Sequence, residues 1–348
     1  MKKLVAIIGY GGQGGWHAEQ IRKSDVVALA GVYDIKPERN EVAKSRGIYA
    51  YSSLNELLSD KKVEIVVVAT PNDSHKELSI KALMAGKNVI CEKPVMLSVA
   101  DLDEVVAMAN KTGMHFTAHQ NRRFDVDYLA IKKIIQEGKL QDVINVESRV
   151  FGSRGIPSDW RGQKQFGGGM LYDWGVHLID QITQLLPNEE INKVFCIAQH
   201  TTNFEVDDGF KLTLIYKSNK TACVEVGTLN YLTMPRFYLQ CKKGSAKINE
   251  WKQRATVAYC KYWNEKEVMP VQTAAGITKT MAPRDEITLD EYVIDIPISD
   301  VHDFYRNFVA AIDGKEQQLV KHEQSRLVLK VIEKAFESIE KCQVVDFD

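Results

Sequence analysis

Six short apolar runs divide the first 120 residues at helix-length intervals, and the first of them runs straight into glycines. "LVAIIGY" (4–10) is followed by a helix-like segment from about Gln13 to Ser24, and "VVALAGVYD" (26–34) reads as a second strand. Pro37 sits just inside the start of the next helix, where its missing N–H leaves no bond unmade. "YAYS" (49–52), "VEIVVVAT" (63–70), "NVICE" (88–92) and "HFTAHQ" (115–120) supply the remaining strands. "VEIVVVAT" is apolar without alternation, as expected of a strand covered on both faces. Strand–helix alternation at this spacing predicts right-handed βαβ units and a parallel sheet.

The first strand enters Gly9-Tyr10-Gly11-Gly12-Gln13-Gly14, a G-x-G-x-x-G turn that opens a helix. Glycines permit a tight turn, let backbone N–H groups approach a pyrophosphate, and let the helix pack on the sheet. The helix N-terminus favours the diphosphate charge. Asp34 ends the second strand, where a carboxylate hydrogen-bonds the adenosine ribose and repels a 2′-phosphate. NAD is therefore expected ahead of NADP, although Lys36 and Arg39 lie within reach of a 2′-phosphate. Ligands of an open parallel sheet bind beyond the carboxyl ends of its strands. Thr70-Pro71-Asn72 and Glu92-Lys93-Pro94 close two of them, so Lys93 is expected where a nicotinamide ring meets its substrate.

The rhythm changes after residue 122. A helix from Tyr128 to Glu137 leads into strand candidates at 142–152, 193–202, 208–216, 221–231, 236–243, 245–251 and 255–260. Direct strand-to-strand succession predicts an antiparallel sheet. Residues 264–290 are polar and irregular, and helices from Val301 to Asp313 and Glu323 to Lys341 close the chain. The length of 348 residues suits two domains, 1–122 and 123–348. A formal net charge of −1 provides no field to hold nucleic acid or an anionic membrane. No apolar run approaches the ~20 residues that span a bilayer. The six cysteines (91, 196, 223, 241, 260, 342) form no Cys-x-x-Cys pair and read as reduced thiols of a cytoplasmic protein.

"GGGMLYDWGVHLIDQITQLL" (167–186) is strongly helical and places Asp173, His177, Asp180 and Gln184 on one narrow face. Such a face is either solvated or functional. Three preceding glycines, where backbone can approach a ligand, favour function. Asp173 and His177 lack a third metal ligand, so no metal is expected.

The glycine turn, the aspartate of "GVYDIKPER", "VVVATPNDSH", "CEKP" and "GGGMLYDWGVHLID" together resemble the Gfo/Idh/MocA family, the glucose–fructose oxidoreductase and inositol dehydrogenase relatives. The resemblance spans nearly the whole chain. It implies a Rossmann domain followed by an α/β domain with an open, predominantly antiparallel sheet that builds homodimers or homotetramers. The C-terminal helix is free to pack back on the first domain. It also implies a cis Lys93-Pro94 peptide that holds the lysine over the nicotinamide. Lys93, Asp173 and His177 match the family's catalytic group. Thr70, Pro71, Asn72, His75, Glu92, Trp160 and Arg161 fall on segments beside the cofactor, and Arg122 and Arg123 follow a strand that lines the same cleft.

The function implied is NAD-dependent oxidation of a secondary hydroxyl of a sugar, glycoside or cyclitol, with C3 of a pyranoside suggested by family analogy. His177, oriented by Asp173, is the expected proton acceptor, and Lys93 is the alternative base. Trp160, Trp174 and Tyr231 are candidates for stacking on a sugar face. Residues 274–284 are a candidate lid or inter-subunit arm. A redox-neutral NAD-dependent glycosidase and a non-catalytic NAD-sensing regulator are the rival readings on this fold.

Overall fold

The computed structural model describes residues 2–262 and 268–348. Five parallel strands form the first sheet: β1 (Lys3–Ile8), β2 (Val27–Tyr33), β3 (Ile65–Val68), β4 (Asn88–Cys91) and β5 (Phe116–Ala118), in the order β2-β1-β3-β4-β5. The helices between them are α1 (Gly12–Lys23), α2 (Pro37–Ser45), α3 (Leu54–Ser59), α4 (His75–Met84) and α5 (Val99–Thr112). Ser98 caps α5 by accepting from the Asp101 amide, as its position before an acidic first turn predicts. All four residues of β3 are buried, which fits a strand covered on both faces.

The expected strand at 49–52 is reduced to one bridge, Val32 to Ala50. The reason is local. Ser53 caps α3 by accepting from the Glu56 amide, so the chain turns helical before pairing can extend.

A helix α6 (Val126–Glu137) enters the second sheet. Its strands are β6 (Val143–Phe151), β7 (Ile191–Gln199), β8 (Gly209–Tyr216), β9 (Thr221–Gly227), β10 (Phe237–Cys241), β11 (Gly244–Ile248) and β12 (Ala255–Cys260). After a small hairpin of β13 (Val271–Thr273) and β14 (Gly276–Thr278) come β15 (Leu289–Ile294) and β16 (Val345–Asp346). The nine-stranded order is β15-β12-β11-β10-β6-β9-β8-β7-β16. Neighbours are antiparallel except β6 and β9. This one parallel pair in the predominantly antiparallel sheet arises because α7 (Val176–Leu185) intervenes after β6, and two hairpins then bring β9 back beside it. The hairpin falls within the irregular 264–290 segment, of which residues 264–267 lie outside the described residues.

One face of this sheet packs on α6, α7 and α9 (His322–Lys341) around Phe210, Phe237, Ile179, Ile182 and Ile332. The first core recruits residues from the far end of the chain. Phe304, Tyr305 and Phe308 of α8 (His302–Ile312) are buried with Val5, Ile7, Val67 and Phe116. Each such phenylalanine stabilises by about 1.5–3 kcal/mol through burial. Helix α9 bridges both cores, with Leu329 in the first and Val328 and Ile332 in the second. Helix α9 therefore ties the two cores together.

Candidate active site

The glycine turn divides its residues by what they face. Gly9 has φ +92°, and a Cβ there would lie 2.4 Å from the Ala69 carbonyl oxygen. A Cβ on Gly14 would lie 1.9 Å from the Gly9 carbonyl oxygen. These two glycines are required by the contact of strand, turn and helix. Gly11 and Gly12 instead face open space, so a ligand can approach their backbone closely. The amides of the first helical turn have no partner within the helix. The residues present therefore fit a dinucleotide diphosphate.

Asp34 is fixed at the tip of β2. Its carboxylate accepts from the Tyr10 amide at 2.7 Å and the Lys36 amide at 2.9 Å. Its own amide donates to Asn40 Oδ1 at 2.9 Å. The carboxylate is thus tied to the glycine turn itself. Thr70 and Pro71 lie half-buried just past β3, beside Gly9.

Glu92 lies beneath this surface and is only 4% exposed. Its Oε1 accepts from Gln13 Nε2 at 3.0 Å, His17 Nε2 at 2.8 Å and His119 Nδ1 at 2.7 Å. Its Oε2 accepts from the Lys93 amide at 3.1 Å. The Tyr305 hydroxyl completes the chain at 2.6 Å from His17 Nδ1. Burial alone would raise the Glu92 pKa, but the two imidazoles outweigh it and hold the carboxyl well below its ordinary range. Burial, then the neighbouring His119, lowers that of His17. The ligand atoms of His17, Glu92 and His119 lie within 4.8 Å of one another, a grouping that could hold a metal. Oε1 is already filled by three donors, so the cluster works as a buried hydrogen-bond hub that sets Lys93 and Gln13.

The Lys93–Pro94 peptide is cis. Lys93 Nζ donates to Asp173 Oδ1 at 2.7 Å and to the Asp173 carbonyl at 2.9 Å. Arg161 Nε stands 3.6 Å from Asp173 Oδ2. Burial would raise the Asp173 pKa, but Lys93 beside it brings it below the ordinary value. His177 is 4% exposed. Burial, with the positive charges of Lys93 and Arg122, drives its pKa well below the ordinary 6.5, so the imidazole is neutral.

Asp173 does not orient His177, contrary to the expectation from helical spacing. Residues 171–175 wind as a π-helix, with the Val176 amide bonded to the Leu171 carbonyl, and the register between the two side chains is changed. Asp173 serves Lys93 instead, and His177 Nδ1 has no hydrogen-bond partner among the described residues. The π-turn is anchored by Asp207, whose carboxylate accepts from the Leu171 amide at 2.7 Å. Burial pushes the Asp207 pKa up to about 7.

Several residues expected at the ligand are braces. His75 is fully buried between the Pro94 and Thr70 carbonyls, at 2.9 and 3.0 Å. Asn72 Nδ2 donates to the Gly167 carbonyl at 2.8 Å, joining the two units. Arg123 pairs with Asp180 through two bonds of 2.6 and 2.8 Å and donates to Gln324 Oε1 at 2.9 Å. Nine of the ten residues of α7 are buried, so its polar face meets Arg123 and Gln324 rather than solvent. Arg122 remains in the cleft, its guanidinium 4.2 Å from the Trp174 ring and 5.2 Å from that of Trp251. Trp160 stacks on Arg161 at 4.6 Å, whereas Tyr231 is 81% exposed and makes no such stack among the described residues.

Sequence reasoning missed His17, His119, Tyr305, Asp207 and Trp251. The consecutive acids Asp207-Asp208 before Gly209 were a visible signal, since burying two carboxylates at a strand start demands partners.

Residues 3–120 match a family model described as an oxidoreductase family with an NAD-binding Rossmann fold, and residues 128–247 match the GFO/IDH/MocA C-terminal domain. The crystal structure of an NAD-binding protein from Listeria innocua is 38% identical, covers 99% of each chain and has a TM-score of 0.95. The uncharacterized oxidoreductase YhhX of Escherichia coli is 38% identical over 60% of this chain, which spans 59% of that relative's length. The scyllo-inositol 2-dehydrogenase (NADP(+)) IolW of Bacillus subtilis is 31% identical over 69% of this chain and 67% of its own.

Proposed function

Because the chain belongs to the GFO/IDH/MocA family of oxidoreductases, we propose that it oxidises a secondary hydroxyl of a sugar, glycoside or cyclitol to a ketone, or runs the reverse reaction. The observation that carries the reading is the meeting of Lys93, from a strand tip of the first sheet, with Asp173, four residues before a neutral buried histidine. The kinship to an inositol dehydrogenase supports the substrate class.

A bound nicotinamide dinucleotide supplies the hydride acceptor. The protein's residues manage the proton. His177 is neutral and so has a lone pair to receive it; Nδ1 is sealed off, which leaves Nε2 for the alcohol. Two of the three Lys93 N–H bonds go to Asp173, and the third is free to donate to the substrate oxygen and stabilise developing alkoxide charge. Asp173 fixes the lysine head. A base of this kind contributes roughly 10²–10⁴ in rate.

NAD is the favoured cofactor, on the position of Asp34 beside the turn. The uncovered face of the nine-stranded sheet, with Ile144 and Ile197 exposed, is the surface for a homodimer or homotetramer. Six unpaired cysteines suit the reducing cytoplasm. The test is incubation with NAD and a panel of sugars, cyclitols and aryl glycosides. NADH absorbance is the expected result. Aglycone released without NADH would transfer the reading to the redox-neutral glycosidase, and no reaction with any member would remove it.

A further inference from the structure

Lys93 is bound by the Asp173 side chain and also by the Asp173 backbone carbonyl, so the lysine follows the position of the π-turn itself and not one rotamer. That turn begins at Leu171, and the first amides of a helix have no partner within it. Two amides at this entry end on one residue from the loop before β8. The Met170 amide donates to the Asp207 carbonyl at 3.0 Å, and the Leu171 amide to the Asp207 carboxylate at 2.7 Å. Asp207 is 5% exposed, so the second bond is charge-assisted, shielded from water and set at the positive end of the helix.

Asp207 is itself held firmly. The neighbouring Asp208 carboxylate accepts from the Thr201 amide at 2.7 Å, and the Asp208 carbonyl accepts from the Thr228 hydroxyl at 2.6 Å. The approach of Asp207 to the turn also accounts for the glycine run. A Cβ on Gly169, where φ is +104°, would lie 2.2 Å from Asp207 Oδ1, and one on Gly168 would lie 2.2 Å from the Arg161 carbonyl oxygen. The atoms that demand these two glycines belong to the protein, where the sequence suggested a ligand.

We infer that Asp207 is a positioning residue of the reaction, which seats the π-turn so that Asp173 meets Lys93. The inference rests on the reading of Lys93 as the group that meets the substrate oxygen. Leu171 is fully buried, so without the carboxylate its amide is a donor out of water with no acceptor, and the turn relieves that cost by moving. Asp207 acts on the lysine only through Asp173.

Trace acetylation with acetic anhydride, read by mass spectrometry, measures this seat without substrate or cofactor. An amine that gives two hydrogen bonds must release them before its nitrogen attacks the anhydride. Lys93 is scored against the exposed Lys62 and Lys111, and alkylation of Cys196, 1% exposed on β7, reports general loosening of the second unit. Asp207→Ala should raise Lys93 acetylation roughly fivefold, with Cys196 as unreactive as in the parent. Asp207→Asn keeps an oxygen for the Leu171 amide and should stay within about twofold of the parent. Asp173→Ala releases the lysine directly, and in that background Asp207→Ala should add nothing. Lys93 unchanged by Asp207→Ala, an asparagine variant no better than the alanine one, or Cys196 opening in step with Lys93 overturns the inference. If Asp207→Ala does not fold, Asp207→Ser, whose hydroxyl ends short of the amide, is read in its place; failure of both to fold makes Asp207 a folding residue and also overturns it. Turnover is scored separately, on a sugar or cyclitol that the NAD panel identifies. Asp207→Ala should lower kcat roughly ten- to a hundredfold with NAD affinity unchanged. An unchanged kcat with a released lysine overturns the positioning role. A panel with no substrate removes the dehydrogenase reading, and the acetylation result still decides whether Asp207 seats the lysine.

Discussion

Lys93 Nζ lies 2.7 Å from Asp173 Oδ1 and 2.9 Å from the backbone carbonyl of the same residue, so one residue of the second unit holds the lysine at two points. The lysine is therefore preorganised before an alcohol arrives. Lys93→Met should lower kcat by about 10²–10⁴ while NAD still binds. Asp173→Asn keeps a hydrogen-bond acceptor and removes the charge, so it should cost less than Lys93→Met. Steady-state kinetics with dinucleotide titration separates the two effects. A methionine variant with near-normal kcat would exclude Lys93 from the chemistry.

His177 is neutral because burial and two cations oppose its protonation. As a base it is lost only when protonated. The acid limb of kcat/KM for oxidation should therefore lie below pH 6.5, the ordinary histidine value. In His177→Ala that limb should vanish along with roughly 10²–10⁴ of the rate. A limb at or above pH 6.5 in the parent protein would assign the proton to another group.

Asp34 ties the cofactor end of β2 to the glycine turn through the Tyr10 amide. Asp34→Ala should weaken NAD by roughly tenfold, a little over 1 kcal/mol for a lost charged acceptor. It should also raise kcat/KM with NADP relative to NAD, because the repulsion of a 2′-phosphate is removed. Parallel kinetics with both cofactors checks this, and an unchanged ratio would place selectivity elsewhere.

Three histidines, His17, His75 and His177, are fully buried with pKa values below the ordinary one, burial being the leading cause in each. Their folded pKa values lie below that of an unfolded histidine, so below about pH 6.5 the unfolded chain takes up protons at these sites more readily than the folded one. The unfolded state then holds more protons, so stability rises with pH up to that value and falls on acidification. The slope reaches up to about 1.4 kcal/mol per pH unit for each histidine. Thermal melts from pH 7.5 down to 5.0 should show the decline beginning near 6.5, and a flat profile there would contradict it.

Glu92→Gln replaces an acceptor of four hydrogen bonds with a group that must turn a donor toward one of its former partners. Breaking such a buried charged hub should destabilise by about 3 kcal/mol. The loss of Tm should exceed that of Arg122→Gln, whose side chain is partly exposed.

The first sheet was legible because its signals are local: apolar runs, glycines and caps lie within a few residues of the structure they create. The strand-tip positions of Lys93 and Asp34 were legible for the same reason, since each directly follows an apolar run. The protein partners of His75 and Arg123 were not legible, because a polar residue just past a strand looks the same in sequence whether it faces a ligand, a buried carbonyl or a carboxylate. The relation of Asp173 to His177 failed through a single π-turn, which no periodicity in the sequence announces. Tyr305 is 288 residues from His17, and no pattern over that span links them.

That last bond has a consequence for anyone dissecting the chain. The hydroxyl that finishes the hub under the cofactor turn comes from α8, near the carboxyl end, together with two phenylalanines of the same core. A fragment truncated after residue 122 would present a bare apolar wall and an imidazole lacking its donor. A self-standing nucleotide module cut from this protein would have to carry the stretch around 302–320 grafted onto it.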